Sequence, residues 1–248
     1  MRKLSVSLLL LFLFTCAWSQ EQADSIHSKK LNASARVSLN SNGIAYVPAF
    51  SLGKPALIGA FSLSKGRFSY DPVLNYGLDL KPWIIDNWVH YKIVDRPAFE
   101  FKTGAVFSAF FSEIDTEDDP ILQVQKYLAV EFISTYRFNP NSSLVFTYLL
   151  DRGQDPGTVT GHFFNLQAER SDFRLGKKSL LSASLQLFYI NYTGNEDGLF
   201  TAANISASIR DIPFSVFFQA IQALASNISP FPEFKWNVGL AYSIKTPN

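Results

Sequence analysis

Three histidines, His27, His90 and His162, bound the acid–base chemistry open to this chain. Asp86 and His90 are four residues apart, so on an extended strand their side chains share one face. A hydrolase built on such a pair needs a nucleophilic Ser or Asp within reach of the base. No Gly-x-Ser-x-Gly elbow is present, His162 stands beside Thr160, and His27 lies in an unpatterned N-terminal stretch. With Cys16 the single cysteine and no paired histidines, no metal or other cofactor is implied. The acidic run Glu113–Asp119 lacks the Gly and closing Glu of an EF-hand loop and reads as a solvated outer loop that could bridge lipopolysaccharide through divalent cations.

Charge spacing offers a second role. Asp71, Asp79, Asp86, His90, Lys92, Glu100, Lys102, Glu131, Arg137, Glu169, Arg210 and Lys235 fall on the polar sides of alternating stretches. Across the turn at Asp95–Pro97, pairing would set Lys92 opposite or diagonal to Glu100 and Lys102. Such a set either fills a narrow lumen with ion pairs or lines it as a selectivity filter for a small solute. Trp88, Phe110, Phe163, Phe188 and Phe217 point the same way as the charges, so a constricted interior with small or absent conductance is expected.

The elements that must position these groups are strands. In the last stretch Phe234, Trp236, Val238, Leu240, Tyr242 and Ile244 alternate with Lys235, Asn237, Gly239, Ala241 and Ser243, giving one apolar and one polar face. The pattern recurs from Ile44 onward. Tight joints at Lys65-Gly66, Asp95–Pro97, Asn139–Asn141 and Asp211–Pro213 are interleaved with longer polar loops near 115–120, 151–160, 191–198 and 226–233. These features predict an all-β, closed antiparallel up-and-down transmembrane barrel of about twelve strands, because only closure satisfies every backbone group in lipid. Gln219–Ala225 is weakly patterned and could form a helical turn. Pro48 and Pro72 should each mark a bulge or a strand end.

Arg2, Lys3, the apolar run Leu8–Phe14 and the small residues Ala17 and Ser19 read as a secretory signal peptide over 1–19; Cys16 as a lipidation site is the rival. Residues 20–43 are expected to be a periplasmic tail and 44–248 the barrel. An even strand count puts both termini in the periplasm of a Gram-negative bacterium, with outer-membrane lipid and lipopolysaccharide around the wall. A net charge of +1 excludes a basic nucleic-acid interface.

The segment Asn237–Ile244 resembles the C-terminal signal by which outer-membrane barrels are handed to the barrel assembly machinery. Its carriers are Asn237, Gly239, Tyr242 and Ile244; the tail Lys245–Asn248 departs from members that end on the aromatic. Phe50-Ser51-Leu52-Gly53-Lys54-Pro55 and Lys81-Pro82-Trp83 resemble stretches of small outer-membrane β-barrel proteins of Bacteroidota. The resemblance implies fold and location and carries no activity. A passive small-solute channel or a structural envelope protein is the leading expectation. A membrane enzyme acting on lipid or lipopolysaccharide and a docking subunit of an envelope complex are the alternatives.

Overall fold

The computed structural model describes residues 30–45, 50–114, 121–194, 196–229 and 234–245. The expected signal segment 1–19, His27 and the acidic residues 115–119 lie outside the described residues. Among those described, twelve strands follow in chain order: β1 (Asn32–Asn40), β2 (Ala56–Lys65), β3 (Phe68–Gly77), β4 (Pro82–Asp95), β5 (Phe99–Ile114), β6 (Ile121–Asn139), β7 (Ser142–Gly153), β8 (Thr160–Arg174), β9 (Ser179–Tyr192), β10 (Glu196–Ile209), β11 (Phe214–Ser226) and β12 (Phe234–Lys245). Each pairs antiparallel with its chain neighbours, and β1 closes the ring on β12. Closure leaves no edge strand with unpaired donors and acceptors.

The alternation read in the last strand is the alternation found. Trp236, Val238, Leu240 and Tyr242 are exposed on the outer wall, whereas Asn237 and Ala241 are buried inside. The outer wall carries a continuous set of large apolar side chains, among them Phe107, Phe132, Leu185 and Val216. Hydrocarbon, not water, is the solvent that suits such a surface.

The strand count agrees with expectation, but the place of the first strand does not. Part of the expected tail, Asn32–Asn40, is β1, with Val37 and Leu39 outward and Ser38 and Asn40 buried inside. Its other outward positions, Ala33 and Ala35, are too small to produce a strong hydrophobic alternation. The strand expected from Ile44 is not among the twelve: the described residues 41–45 and 50–55 connect β1 to β2. Ile44 is buried inside the barrel, and Tyr46 and Pro48 lie outside the described residues. β11 runs unbroken through Gln219–Ala225 rather than turning helical, because Gln219, Ile221 and Ala223 pack inward against the paired residues of β10. Strand β3 stops at Gly77, so Leu78 and Leu80 belong to the following turn.

Short turns of two to four residues gather at one end, the turn end, where Ser34 of β1 also pairs with Lys245 of β12. The Gly66-Arg67 hairpin needs its glycine: φ at Gly66 is +64°, as a type II′ turn requires at its first central position. The joint between β8 and β9 is only 175–178, because β8 continues past a register shift between Arg170 and Phe173. The opposite, loop end holds the segments joining β1–β2, β5–β6, β7–β8 and β11–β12; the β9–β10 joint is shorter than expected, since the two strands reach Tyr192 and Glu196. β5 and β6 run past their neighbours there: residues 121–126 lie beyond the first pair with β7, Tyr127 with Gly153.

Pro72 marks neither a bulge nor a strand end. It sits within β3 opposite Asn87 of β4, while the pairing to β2 jumps from Ala60–Val73 to Leu63–Tyr70. The ladder is open for two residues there. Asp71 uses the gap: its carboxylate accepts from the Ser62 hydroxyl at 2.5 Å and the Ser69 hydroxyl at 2.6 Å.

Candidate lumen site

The inward faces of β3 to β6 bring four strands onto one histidine. His90 Nδ1 lies 2.6 Å from Asp71 Oδ2 and Nε2 lies 2.6 Å from Glu131 Oε1. Both ring nitrogens can donate only when both carry hydrogen, so the two carboxylates select the doubly protonated ring. Trp88 stacks on that ring, with centroids 5.5 Å apart and planes at 7°. Gly104, opposite His90 on β5, is what lets the imidazole cross: an added Cβ would stand 2.8 Å from Nε2 and 3.0 Å from Glu131 Cγ. Asp86 lies on the same face but bonds the Ser108 hydroxyl, not His90. With carboxylates on both nitrogens, His90 has no hydroxyl to activate. His162 faces outward and pairs with the Tyr148 hydroxyl at 3.0 Å.

Toward the turn end, Glu100 gathers the basic groups. Lys92 Nζ and Arg137 Nη2 each lie 3.2 Å from Glu100 Oε2, and Lys92 stands directly opposite Lys102. Glu169 receives the Ser143 hydroxyl at 3.1 Å. Lys235 is on the inner face of β12, in register with Ile221. Two expected lumen charges are elsewhere. Arg210 lies in the turn after β10, and Asp79 in the turn after β3, because both strands end before reaching them.

These groups border a cavity of about 1020 Å³ lined by Asp71, Asp86, His90, Lys102, Glu131 and Glu169 among others. A second space of about 430 Å³ at the turn end is lined by Glu100, Lys102, Arg137 and Glu169. The loop end is filled with apolar side chains. Ile44 and Ile228 from two loops pack with Phe188, Ile190, Phe200 and Ile221. Phe50 sits 4.9 Å from Phe110 and 5.5 Å from Tyr127. Trp83, 2% exposed, is turned inward by a register shift near Tyr76, and its indole N–H donates to the Phe50 carbonyl at 2.7 Å. Trp83 and Phe50, 33 residues apart in the chain, thus meet at this mouth.

The four residues expected to form a C-terminal signal divide by face. Tyr242 and Ile244 are exposed on the outer wall, while Asn237 and Gly239 face inward. Asn237 stitches the closing seam, donating to Asn40 Oδ1 at 2.9 Å and accepting from the Asn42 amide at 3.1 Å. The Phe217 ring lies across Gly239, and the Arg36 guanidinium sits 5.5 Å from the centre of that ring. Arg36 and Trp83 escape the sequence reading: one lies in the expected tail, the other is inward only through the register shift.

Charge pairs also tie the loop end. Lys54 Nζ lies 2.8 Å from Asp79 Oδ2, and Lys81 pairs with Glu113. Asp155 accepts from the Lys126 amide at 2.6 Å and lies 3.2 Å from its ammonium, so the carboxyl is held below its ordinary range, mainly by the amide. A lowered folded pKa contributes stability above the ordinary carboxylate value that is lost as pH falls through the lowered one. We expect the Lys126 amide, measured against its intrinsic exchange rate at each pH, to be protected at neutral pH and to lose that protection as the Asp155 carboxyl protonates in acid, with Asp155→Ala unprotected throughout; a difference in protection between the two that does not change with pH would contradict this.

No family model and no curated protein matches the sequence. Solved structures do match. The KdgM porin is 10% identical with a TM-score of 0.56, covering 85% of this chain and 99% of that one. The KdgM porin in complex with disordered oligogalacturonate is 9% identical with a TM-score of 0.54, covering 86% and 99%. An outer-membrane channel from Pseudomonas putida F1 is 10% identical with a TM-score of 0.52, covering 91% and 98%. At this identity the likeness is one of fold: the chain has the closed antiparallel barrel of outer-membrane channel proteins.

Proposed function

We propose that this protein is an integral outer-membrane barrel that passes small polar solutes through a narrow, charged lumen. The observation that carries it is the cavity of about 1020 Å³ inside a closed wall, bordered by carboxylates and bases together. On this proposal residues 1–19 direct export, both termini face the periplasm, and lipid with lipopolysaccharide surrounds the wall. The assembly machinery reads Asn237, Gly239, Tyr242 and Ile244, and Asp86, His90, Lys92, Glu100, Lys102, Glu131, Arg137, Glu169 and Lys235 set the field inside. The likeness to Bacteroidota barrels belongs to the same proposal. Asp71, Asp86, Glu131, Asp151 and Glu169 line the cavity against His90, Arg36, Lys102 and Arg170, which leaves a small excess of negative charge. An extended acid such as the oligogalacturonate bound by the KdgM porin would meet repulsion there, which favours compact solutes without net negative charge.

Liposome swelling with sugars, amino acids and nucleosides tests the proposal. Slow but protein-dependent swelling is expected, and none with any solute would remove the channel. Trp83→Ala deletes the donor that holds the Phe50 carbonyl and the ring that fills the mouth. Single-channel conductance should rise several-fold in that variant; large, stable steps already present in the unmodified protein would show that the mouth is not narrowed by this loop.

A further inference from the structure

We propose that the β8–β9 and β10–β11 turns form a seat for the headgroup phosphate of an anionic glycerophospholipid, with Arg174, Lys177, Lys178 and Arg210 as its cations. The seat rests on the membrane part of the reading above, a wall that lies in lipid, and needs no passage of solute. Ion pairs are unevenly shared between the two ends of the barrel. At the loop end Lys54 meets Asp79, Lys81 meets Glu113 and Lys126 meets Asp155. At the turn end these four cations are exposed, and among the described residues no carboxylate stands within 4.0 Å of any of them. The acids in the same two turns, Asp172 and Asp211, are exposed as well and leave the patch two charges positive.

The two turns are neighbours. Ile209 pairs with Ser179, and the Arg210 amide donates to the Lys178 carbonyl at 2.8 Å, so these two cations leave adjacent backbones. The Leu175 amide donates to the Ser179 carbonyl at 3.1 Å, which closes the first turn and keeps Arg174, Lys177 and Lys178 on one short loop. The company of these cations separates the patch from a solvated basic loop. Leu175 is 61% exposed and Ile212 is 48% exposed, with Phe173 and Phe214 exposed on the outer wall beside them. Such side chains are costly in water and suit the boundary where acyl chains end. Phe214 and Tyr242 lie 4.9 Å apart on the outer wall, an aromatic pair of the kind that sits at headgroup level. Cations in the turns just beyond that level stand at the depth of the lipid phosphates. A guanidinium holds a phosphate through two parallel hydrogen bonds and an ammonium holds it as a point charge, while the acyl chains continue along Phe173, Ile209 and Phe214. An acidic soluble protein would answer the charges and leave Leu175 and Ile212 in water. A zwitterionic lipid would cover the apolar residues but bring its own cation. Lys65, Arg67, Arg96 and Lys245 elsewhere on this rim also lack an ion pair, yet among the described residues no other turn joins three cations to an exposed leucine.

The test is mass spectrometry of the intact, folded protein released from detergent and titrated with phosphatidylglycerol or with phosphatidylcholine of the same acyl chains. The first phosphatidylglycerol should bind roughly tenfold tighter than the first phosphatidylcholine, the scale expected of two net positive charges beside a lipid phosphate. Arg174→Gln, Lys177→Gln, Lys178→Gln and Arg210→Gln together should bring that ratio to about one. Lys65→Gln with Arg67→Gln should leave most of it, and Arg152→Gln at the loop end should leave all of it. Folding of each variant is read from its heat-modifiable gel migration. If the fourfold variant does not fold, Lys177→Gln with Lys178→Gln carries the test, with the ratio falling to roughly threefold. Equal affinity for the two lipids in the unmodified protein, or a ratio that survives the substitutions, overturns the seat and leaves the barrel's place in the membrane standing. Displacement of phosphatidylglycerol by millimolar inorganic phosphate, or tighter binding of lipid A that the same substitutions abolish, overturns the assignment to a phospholipid. A protein that stays dispersed without detergent and binds neither lipid removes the membrane reading together with the seat.

Discussion

Valine at position 239 is expected to prevent the barrel from closing. Gly239 lies on β12 opposite Asn40 of β1 and Phe217 of β11, at the seam between the first and last strands. A Cβ there would overlap the Phe217 ring and stand 2.7 Å from the Leu39 carbonyl oxygen. The ring can swing aside; the backbone oxygen cannot. Overpacking of this kind costs about 1–3 kcal/mol for a methyl, and the branched side chain adds to it. Gly239→Val should therefore lose the heat-modifiable, compactly migrating species. Gly239→Ala should keep it with a lowered melting temperature, partly recovered by Phe217→Ala in the same chain. A Gly239→Val protein that migrates and melts like the unmodified one would show that the ring and the seam do not constrain this position.

Among substitutions of the charged lumen residues, His90→Leu should be strongly destabilising. It removes the one cation between Asp71 and Glu131, each 2.6 Å away, and leaves two carboxylates facing an apolar side chain. Breaking a buried pair by deleting one partner typically costs about 3–5 kcal/mol. Water reaching Asp71, whose side chain is 26% exposed, brings the expected loss toward roughly 3 kcal/mol. Urea unfolding in detergent micelles, followed by tryptophan fluorescence, measures it. The combination Asp71→Asn, His90→Leu, Glu131→Gln should recover much of the loss, since removing every charge removes the penalty. A single substitution as stable as the unmodified protein would mean that the cluster is already neutralised by solvent.

What the sequence displays depends on how each residue contributes to the wall. Strands with large outward side chains, such as Phe99 to Phe111 and Phe234 to Ile244, announce their period because lipid rewards every second residue. β1 does not, as Ala33 and Ala35 leave half its outer face small. Ile44 and Phe50 mislead for the converse reason: their apolar side chains fill the lumen mouth rather than meet lipid, and alternation alone cannot separate the two surroundings. The Lys92–Glu100 pair is legible because one short hairpin fixes it. The Asp71–His90–Glu131 cluster is legible only as a shared face, since its partners meet across three hairpins whose registers the sequence does not print. Arg36 requires β1 to be found first, and Trp83 requires a register shift with no local signature.

The uneven heights of the strands bear on what can touch the protein from outside. Residues 121–126 of β6, with Phe111–Ile114 alongside, continue about 20 Å along the strand direction beyond the rim set by β7. On the proposed orientation this hairpin stands like a mast over a slanted deck. On that orientation an antibody or a phage tail fibre would meet residues 111–114 and 121–126 before the rim set by β7, away from the charges that the proposed channel places in its lumen.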